Sequence, residues 1–415
     1  MKRTALCLLL VAQLALCSSC IDTHNVLPEM SEIGNFAVIQ VLGIDKKGDE
    51  IEVTLVAARN GAGGGEGSDG KRVTEIMSFS GATAVDAISR INSFSDKRQH
   101  LGYVDFLLIG EDAARDSITK YLDFFTRDHE SRYSTNVFIV RGDTAKSFLR
   151  ETASEERGID EGLENVSKSV DALSDSRMLT LIDLVSMLET PYCATVVPAL
   201  SSVDTGYGEM VGGEMPEKTF KPDGFAIIKD FRLADYFDAE IACAYNGLTE
   251  RIHTAPICVT DARGHYVSLE MLHNKLKFDT VWEGDTLKGV KYDSLIYANL
   301  TEQLNIDDIY GRDALSRIET AAAEKLRAEM DAVVKKSKQV GQDCLCIADL
   351  VRMKNPVKWV KLDMENRWGE LFPRLDIDVA VTCRITRTYD LREPTGLYRK
   401  DFQEKKQGAE VRGDA

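Results

Sequence analysis

The chain has 415 residues, enough for two or three domains and more than one core. Hydrophobic residues at 44% and charged residues at 28% exclude collagen-like and wholly disordered classes. With 51 Lys and Arg against 67 Asp and Glu the net charge is −16, which disfavours a nucleic-acid-binding surface. The first element is a short basic segment, Lys2-Arg3, followed by an apolar run from Ala5 to Leu16 broken by Gln13. That run falls short of the roughly 20 residues that span a bilayer and suits a secretory signal over residues 1–19. Cys17-Ser18-Ser19-Cys20 follows, with two small residues before Cys20, as a lipoprotein signal requires. Cys20 is therefore the expected lipidation site. Removing residues 1–19 takes away Lys2 and Arg3 and moves the charge from −16 to −18, so attachment would rest on acyl chains and not on attraction to anionic lipid.

Residues 35–44 and 51–58 read as two strands around the turn Asp45 to Asp49. In the second, Ile51, Val53, Leu55 and Ala57 alternate with mostly polar neighbours, predicting one buried face. The connector Gly61 to Gly70 leads to a strand at 73–79. The spacing of Val85, Ile88 and Ile91 predicts a helix over 82–94, and 103–109 is a short apolar strand. An amphipathic helix over 113–126 turns Ile118, Tyr121, Leu122 and Phe125 to one side. A strand at 134–140 and a helix at 144–149 follow. Residues 152–176 are polar and helix-prone, and 178–188 reads as a helix. Pro198 marks 194–200 as an edge strand.

The segment Asp204 to Lys221, rich in Gly with Pro216, is the clearest boundary. Beyond it, 224–228, 252–260, 267–276 and 290–300 read as strands. A long helix over 313–338 carries the stripe Leu315, Ile318, Ala322, Leu326, Met330 and Val333. A further helix falls at 344–353, then a Trp-bearing stretch over 359–368. Alternation from Leu375 to Ile385 predicts a half-buried strand. The expected organisation is a signal at 1–19, an α+β unit at 20–203, a strand-rich unit at 204–302, a helix-plus-strand unit at 303–391 and a polar, disordered tail at 392–415. The expected class is α+β, three domains of mixed sheets with packed helices.

No catalytic, cofactor-binding or metal site is predicted. Gly65 to Gly70 with Lys71 lacks the Ser or Thr of a phosphate loop, because Arg72 stands there, and a strand rather than a helix follows. His24, His100, His129, His253, His265 and His273 show no zinc spacing. Cys193, Cys243, Cys258, Cys344, Cys346 and Cys383 allow fifteen pairings, among which sequence does not choose.

Several stretches together resemble one family, the C-subunit lipoproteins of spore germinant receptors, Ger(x)C. They are Cys20-Ile-Asp; Phe36 to Asp45, ending Leu-Gly-Ile-Asp; Leu101-Gly-Tyr-Val-Asp-Phe-Leu-Leu-Ile-Gly-Glu111; and Leu122-Asp-Phe-Phe-Thr-Arg-Asp128. Gly224-Phe-Ala-Ile-Ile-Lys229 follows with Leu233, then Trp359, Trp368 and Phe372-Pro373. Tyr103 stands where the family commonly has His, Ile21 where an aromatic follows the lipid Cys, and Tyr389-Asp390 near a closing Thr-Gly. The resemblance implies a three-domain α+β protein held by lipid on the outer face of the spore inner membrane. It also implies assembly with A-type and B-type membrane subunits, a part in the response to nutrient germinants, and no catalytic residues. The alternative is a solute-binding lipoprotein of a transporter, which calorimetry with nutrients would separate. Such a protein needs two doubly wound lobes around a cleft, and the strand-rich 224–300 fits that poorly.

Overall fold

A computed structural model describes residues 36–60, 72–153, 159–204, 218–252, 254–261, 263–304 and 313–387. The signal segment, Cys20, the glycine connector and the tail beyond 391 lie outside these residues.

The first sheet begins with a hairpin of β1 (Phe36–Lys47) and β2 (Glu50–Asn60). Both strands run further than the sequence suggests, so the loop shrinks to Gly48-Asp49, and Gly48 takes the positive φ of +61° that a two-residue hairpin needs. β3 (Arg72–Gly81) adds antiparallel to β2, and α1 (Ala84–Phe94) follows behind its Thr83 cap. The buried stripe of α1 is Ala84, Ala87, Ile88 and Ile91; Val85, expected inside, faces solvent. After the short β4 (Arg98–His100), β5 (Phe106–Gly110), β6 (Asn136–Val140) and β7 (Thr195–Asp204) lie parallel to β1. Their crossovers carry α2 (Glu111–Arg127), α3 (Ala145–Glu151), α4 (Ile159–Leu173) and α5 (Leu181–Leu188). Within α2 the backbone leaves helical geometry at Ser117, while Ile118, Tyr121, Leu122 and Phe125 are buried as the sequence predicts. β8 (Lys218–Lys229) and β9 (Arg232–Phe237) complete the sheet antiparallel, in the order β3-β2-β1-β5-β6-β7-β8-β9.

Helices cover both faces of this sheet: α1, α2 and α5 share one core with it, and α3 and α4 share another. Strands so placed are apolar throughout, as β5 is, every residue of which is buried. The expectation of one wet face on β2 is overturned for the same reason. Glu52, Thr54 and Val56 are buried beside Ile51, Val53 and Leu55. The polar pair is satisfied inside: Thr54 hydrogen-bonds to Ser78 at 2.9 Å and Glu52 meets Lys146 at 2.7 Å. β7 is likewise no edge strand, for it lies between β6 and β8. Pro198 is tolerated because pairing with β6 starts only at Ala199 and the register with β8 shifts beside it.

The second sheet comprises β10 (Ala255–Thr260), the two 18-residue strands β11 (Tyr266–Glu283) and β12 (Thr286–Gln303), and β13 (Asp376–Arg387) parallel to β12. From Asp376 to Thr386 the odd-numbered residues of β13 face inward and the even-numbered ones face water, as the alternation predicts. α7 (Ala314–Val340) buries Ile318, Ala322, Leu326, Met330 and Val333 and packs on β13, β10 and α6 (Ala239–Leu248). α8 (Ile347–Lys354), α9 (Pro356–Lys361) and α10 (Met364–Leu371) then lead into β13. The class is α+β with mixed sheets. The division at 203/204 does not coincide with the sheets: 204–302 supplies β8 and β9 to the first and β10–β12 to the second. The cores interlock as well, since Val196, Phe225 and Ile227 of the first sheet pack with α6, α7 and the second.

Candidate functional site

Ligands of open α/β sheets usually sit beyond the carboxyl ends of the parallel strands. Here those ends bring together Asp45 of β1, Glu111 after β5 and Arg141-Gly142-Asp143 after β6. The Asp45 carboxylate accepts from Ala145 N at 2.7 Å and Lys146 N at 2.9 Å, the first amides of α3. Gly110 leaves room for it, because a Cβ there would lie 2.0 Å from Asp45 Oδ1. Burial raises the Asp45 carboxyl to about 6, against the two amides that favour its charge. Glu111 accepts from Gly142 N at 2.6 Å, Tyr236 Oη at 2.9 Å and Arg115 at 2.6 Å. Burial works against these donors, yet together they hold its carboxyl below the usual range. Arg141 lies 4.3 Å from the Tyr236 ring and reaches Asp238 at 2.6 Å. The crevice position is thus occupied by the chain's own carboxylates, which tie β1, β5, β6 and β9 to α2 and α3.

A second cluster closes the other core. Asp343 is buried between α7 and α8 and accepts from Leu345 N at 3.2 Å, Ala348 N at 2.8 Å and Trp368 Nε1 at 3.1 Å. Burial raises its carboxyl to about 6 against those donors. Trp368 is 1% exposed and lies between Trp359 at 5.6 Å and Phe372 at 6.5 Å. Gly224, at φ +74°, belongs to the joint between the sheets, and a Cβ there would meet the Phe237 carbonyl at 2.0 Å. Five residues on, Lys229 Nζ donates to the Val340 carbonyl at 2.9 Å, at the end of α7. These arrangements orient helices and join layers; among the described residues no group of three or more His, Cys, Asp or Glu is placed to hold a metal ion. No described helix is long and apolar enough to cross a membrane.

A family model described as the spore germination protein N-terminal domain matches residues 29–202. A second, described as spore germination B3/GerAC-like, C-terminal, matches 223–389. The chain belongs to the Ger(x)C, GerAC-like spore germination family. It is 27% identical over 221 residues to the putative spore germination protein YfkR of Bacillus subtilis, covering 51% of this chain and 54% of that one. The match thus spans about half the length of that relative. Spore germination protein B3 of the same organism is 24% identical over 318 residues, covering 74% and 78% respectively. The crystal structure of the GerBC protein shares the fold at a TM-score of 0.53 and 20% identity, covering 83% of this chain and 96% of that one.

The Ger(x)C stretches legible in the sequence acquire physical roles in this light. Leu-Gly-Ile-Asp45 ends in the cap of α3, Gly224 to Lys229 bridges β8 to α7, and Trp359, Trp368 and Phe372 fill the second core. Cys20, the one site residue named from sequence, lies outside the described residues. Asp45 and Glu111 stand at the ends of stretches that resemble the family, but the roles of both, and of Asp343, are not legible in so acidic a chain, since Ala145, Gly142, Tyr236 and Trp368 become their donors only in the fold. The C-terminal unit also turns apolar groups outward: Met353, Val357 and Val360 are 67%, 78% and 79% exposed on α8 and α9. Beside Met353 opens a shallow depression of about 370 Å³, lined by Phe278 and Leu350 with Lys277, Asp279 and Lys354. Lys354, Lys358 and Lys361 rim this face and reach back to Asp279, the Gly284 carbonyl and Asp285 on the β11–β12 hairpin.

Proposed function

We propose that this chain is a non-catalytic, lipid-anchored C-type subunit of a spore nutrient-germinant receptor. It works by contact with membrane-embedded A-type and B-type subunits, helping small nutrients trigger germination. The observation that carries the reading is the succession of the two Ger(x)C domain matches, 29–202 then 223–389, along one chain. The sequence from Lys2 to Cys20 supports an exported chain acylated at Cys20, on the outer face of the spore inner membrane. Met353, Val357 and Val360 support a contact role, since apolar side chains inside a lysine rim have the build of an interface centre.

The test is deletion of the gene in a strain without redundant receptors, read as loss of refractility when single nutrients are added. The reading expects loss of the response to one nutrient class, restored by the wild-type gene. It also expects Cys20→Ala to leave the membrane fraction, and A-type and B-type subunits to co-purify with the wild-type chain. Undiminished germination in the deletion strain overturns the reading. Retention of Cys20→Ala at the membrane overturns the anchor.

A further inference from the structure

The six cysteines within the described residues are all free, and they differ in burial. Cys344 and Cys383 are buried, Cys243 is half-buried on α6, and Cys258 faces solvent on β10. Cys193 and Cys346 belong to two segments stitched side by side. After Cys193, Ala194 N donates to the Asp343 carbonyl at 2.9 Å. Before it, Tyr192 Oη donates to Asp349 Oδ1 at 3.0 Å, with its ring edge-on to Trp359 at 5.5 Å. Between these stitches the Cys193 thiol hydrogen-bonds to Cys346. Both residues are half-buried, which leaves a small oxidant access.

We infer that Cys193 and Cys346 form a disulfide-bonding site that staples the entry of β7 to the start of α8 when the chain meets a small-molecule disulfide. The hydrogen bond to Cys346, with burial, pushes the Cys193 thiol up, so the pair reacts through one thiolate at a time. The first cysteine of the pair to lose its proton to solvent attacks one sulfur of oxidised glutathione, and the glutathione S–S bond breaks to release one thiolate. The other cysteine, losing its proton in turn, then attacks the protein sulfur of the mixed disulfide and expels the second glutathione. One S–S bond forms in the protein, one is lost from glutathione, and two electrons pass between them. The bond joins the edge of the first sheet's core to the helices of the second. Linking positions so far apart in sequence restricts the unfolded chain. An exported chain would meet such an oxidant outside the cytoplasm. The bond itself does not depend on that reading, and its test runs in a defined redox buffer.

The folded chain is equilibrated with oxidised glutathione, remaining thiols are blocked with N-ethylmaleimide, and the unreduced digest is mapped by mass spectrometry. The expected product is a linked peptide pair carrying Cys193 and Cys346. The thermal midpoint rises by several degrees over the reduced protein and returns on adding dithiothreitol. Cys193→Ser and Cys346→Ser each lose both the linked pair and the rise, while Cys258→Ser keeps both. Full N-ethylmaleimide labelling of both cysteines after equilibration overturns the inference, as do glutathione adducts without a protein cross-link or a bond between another pair.

Discussion

Asp45 in the first sheet and Asp343 beside the second are both buried aspartates whose carboxyls sit at about 6, and both accept the opening amides of a short helix. They differ in reach. Asp343 serves amides two and five residues ahead of it, whereas Asp45 serves α3 from a strand 100 residues earlier. The local cap fixes a turn already made by its neighbours. The distant one fixes where α3 lies on the sheet, which is a statement about topology. Asp343 gains tertiary weight from its third donor, Trp368, drawn from a helix 25 residues on.

The largest test of this contrast removes Asp343. Asp343→Ala strands the Trp368 indole and two buried amides, and a loss of about 3–5 kcal/mol is expected in urea melts. A loss below about 1 kcal/mol would show that water replaces the carboxylate there. Gly224→Ala comes next, at about 2–3 kcal/mol, because the added methyl meets the Phe237 carbonyl at a φ that side chains avoid. Its effect should fall on both cores, seen as a loss of protection from hydrogen exchange in β8 and in α7 together.

The two aspartates also set a pH signature. The folded chain keeps the Asp45 proton between the ordinary value near 3.8 and about 6, where the unfolded chain has lost it. That contribution is present below pH ~4 and lost as pH rises through ~6. Asp45→Asn cannot titrate, so wild-type stability minus that of the variant should fall by on the order of 2–3 kcal/mol between pH 4 and 7. A flat difference would mean that the Ala145 and Lys146 amides offset burial, and a rise that they outweigh it. The smallest effect on the fold is expected on the outer face of α8 and α9. Val357→Asp with Val360→Asp should shift stability by less than about 0.5 kcal/mol, both side chains being mostly in water. The same pair should abolish co-purification with membrane subunits, and an unchanged yield would move the contact elsewhere.

Sequence reasoning succeeds where one element carries its own period. The stripe of α7 and the alternation of β13 are of this kind, because each has one wet side. It misses β9 and α6, whose apolar residues run around the helix: Ala242, Ala244, Tyr245 and Leu248 are all buried between the sheets. It misreads β2, where Glu52 and Thr54 look solvated but have found partners inside. The candidate site was least legible of all. Asp45 depends on α3, Lys229 on the end of α7, and Cys193 on Cys346, and each pairing exists only once the sheets are assembled.

Parallel pairing of β12 with β13 means that the second sheet waits for its final strand across the whole α7–α10 crossover. Until Asp376 to Arg387 arrives, one side of an 18-residue strand offers unmatched amides and carbonyls to any passing neighbour. Truncation ahead of that segment would leave a nascent polypeptide prone to aggregate, however sound its amino-terminal half. Late closure of this kind makes the interval between the emergence of β12 and that of β13 the vulnerable one during synthesis.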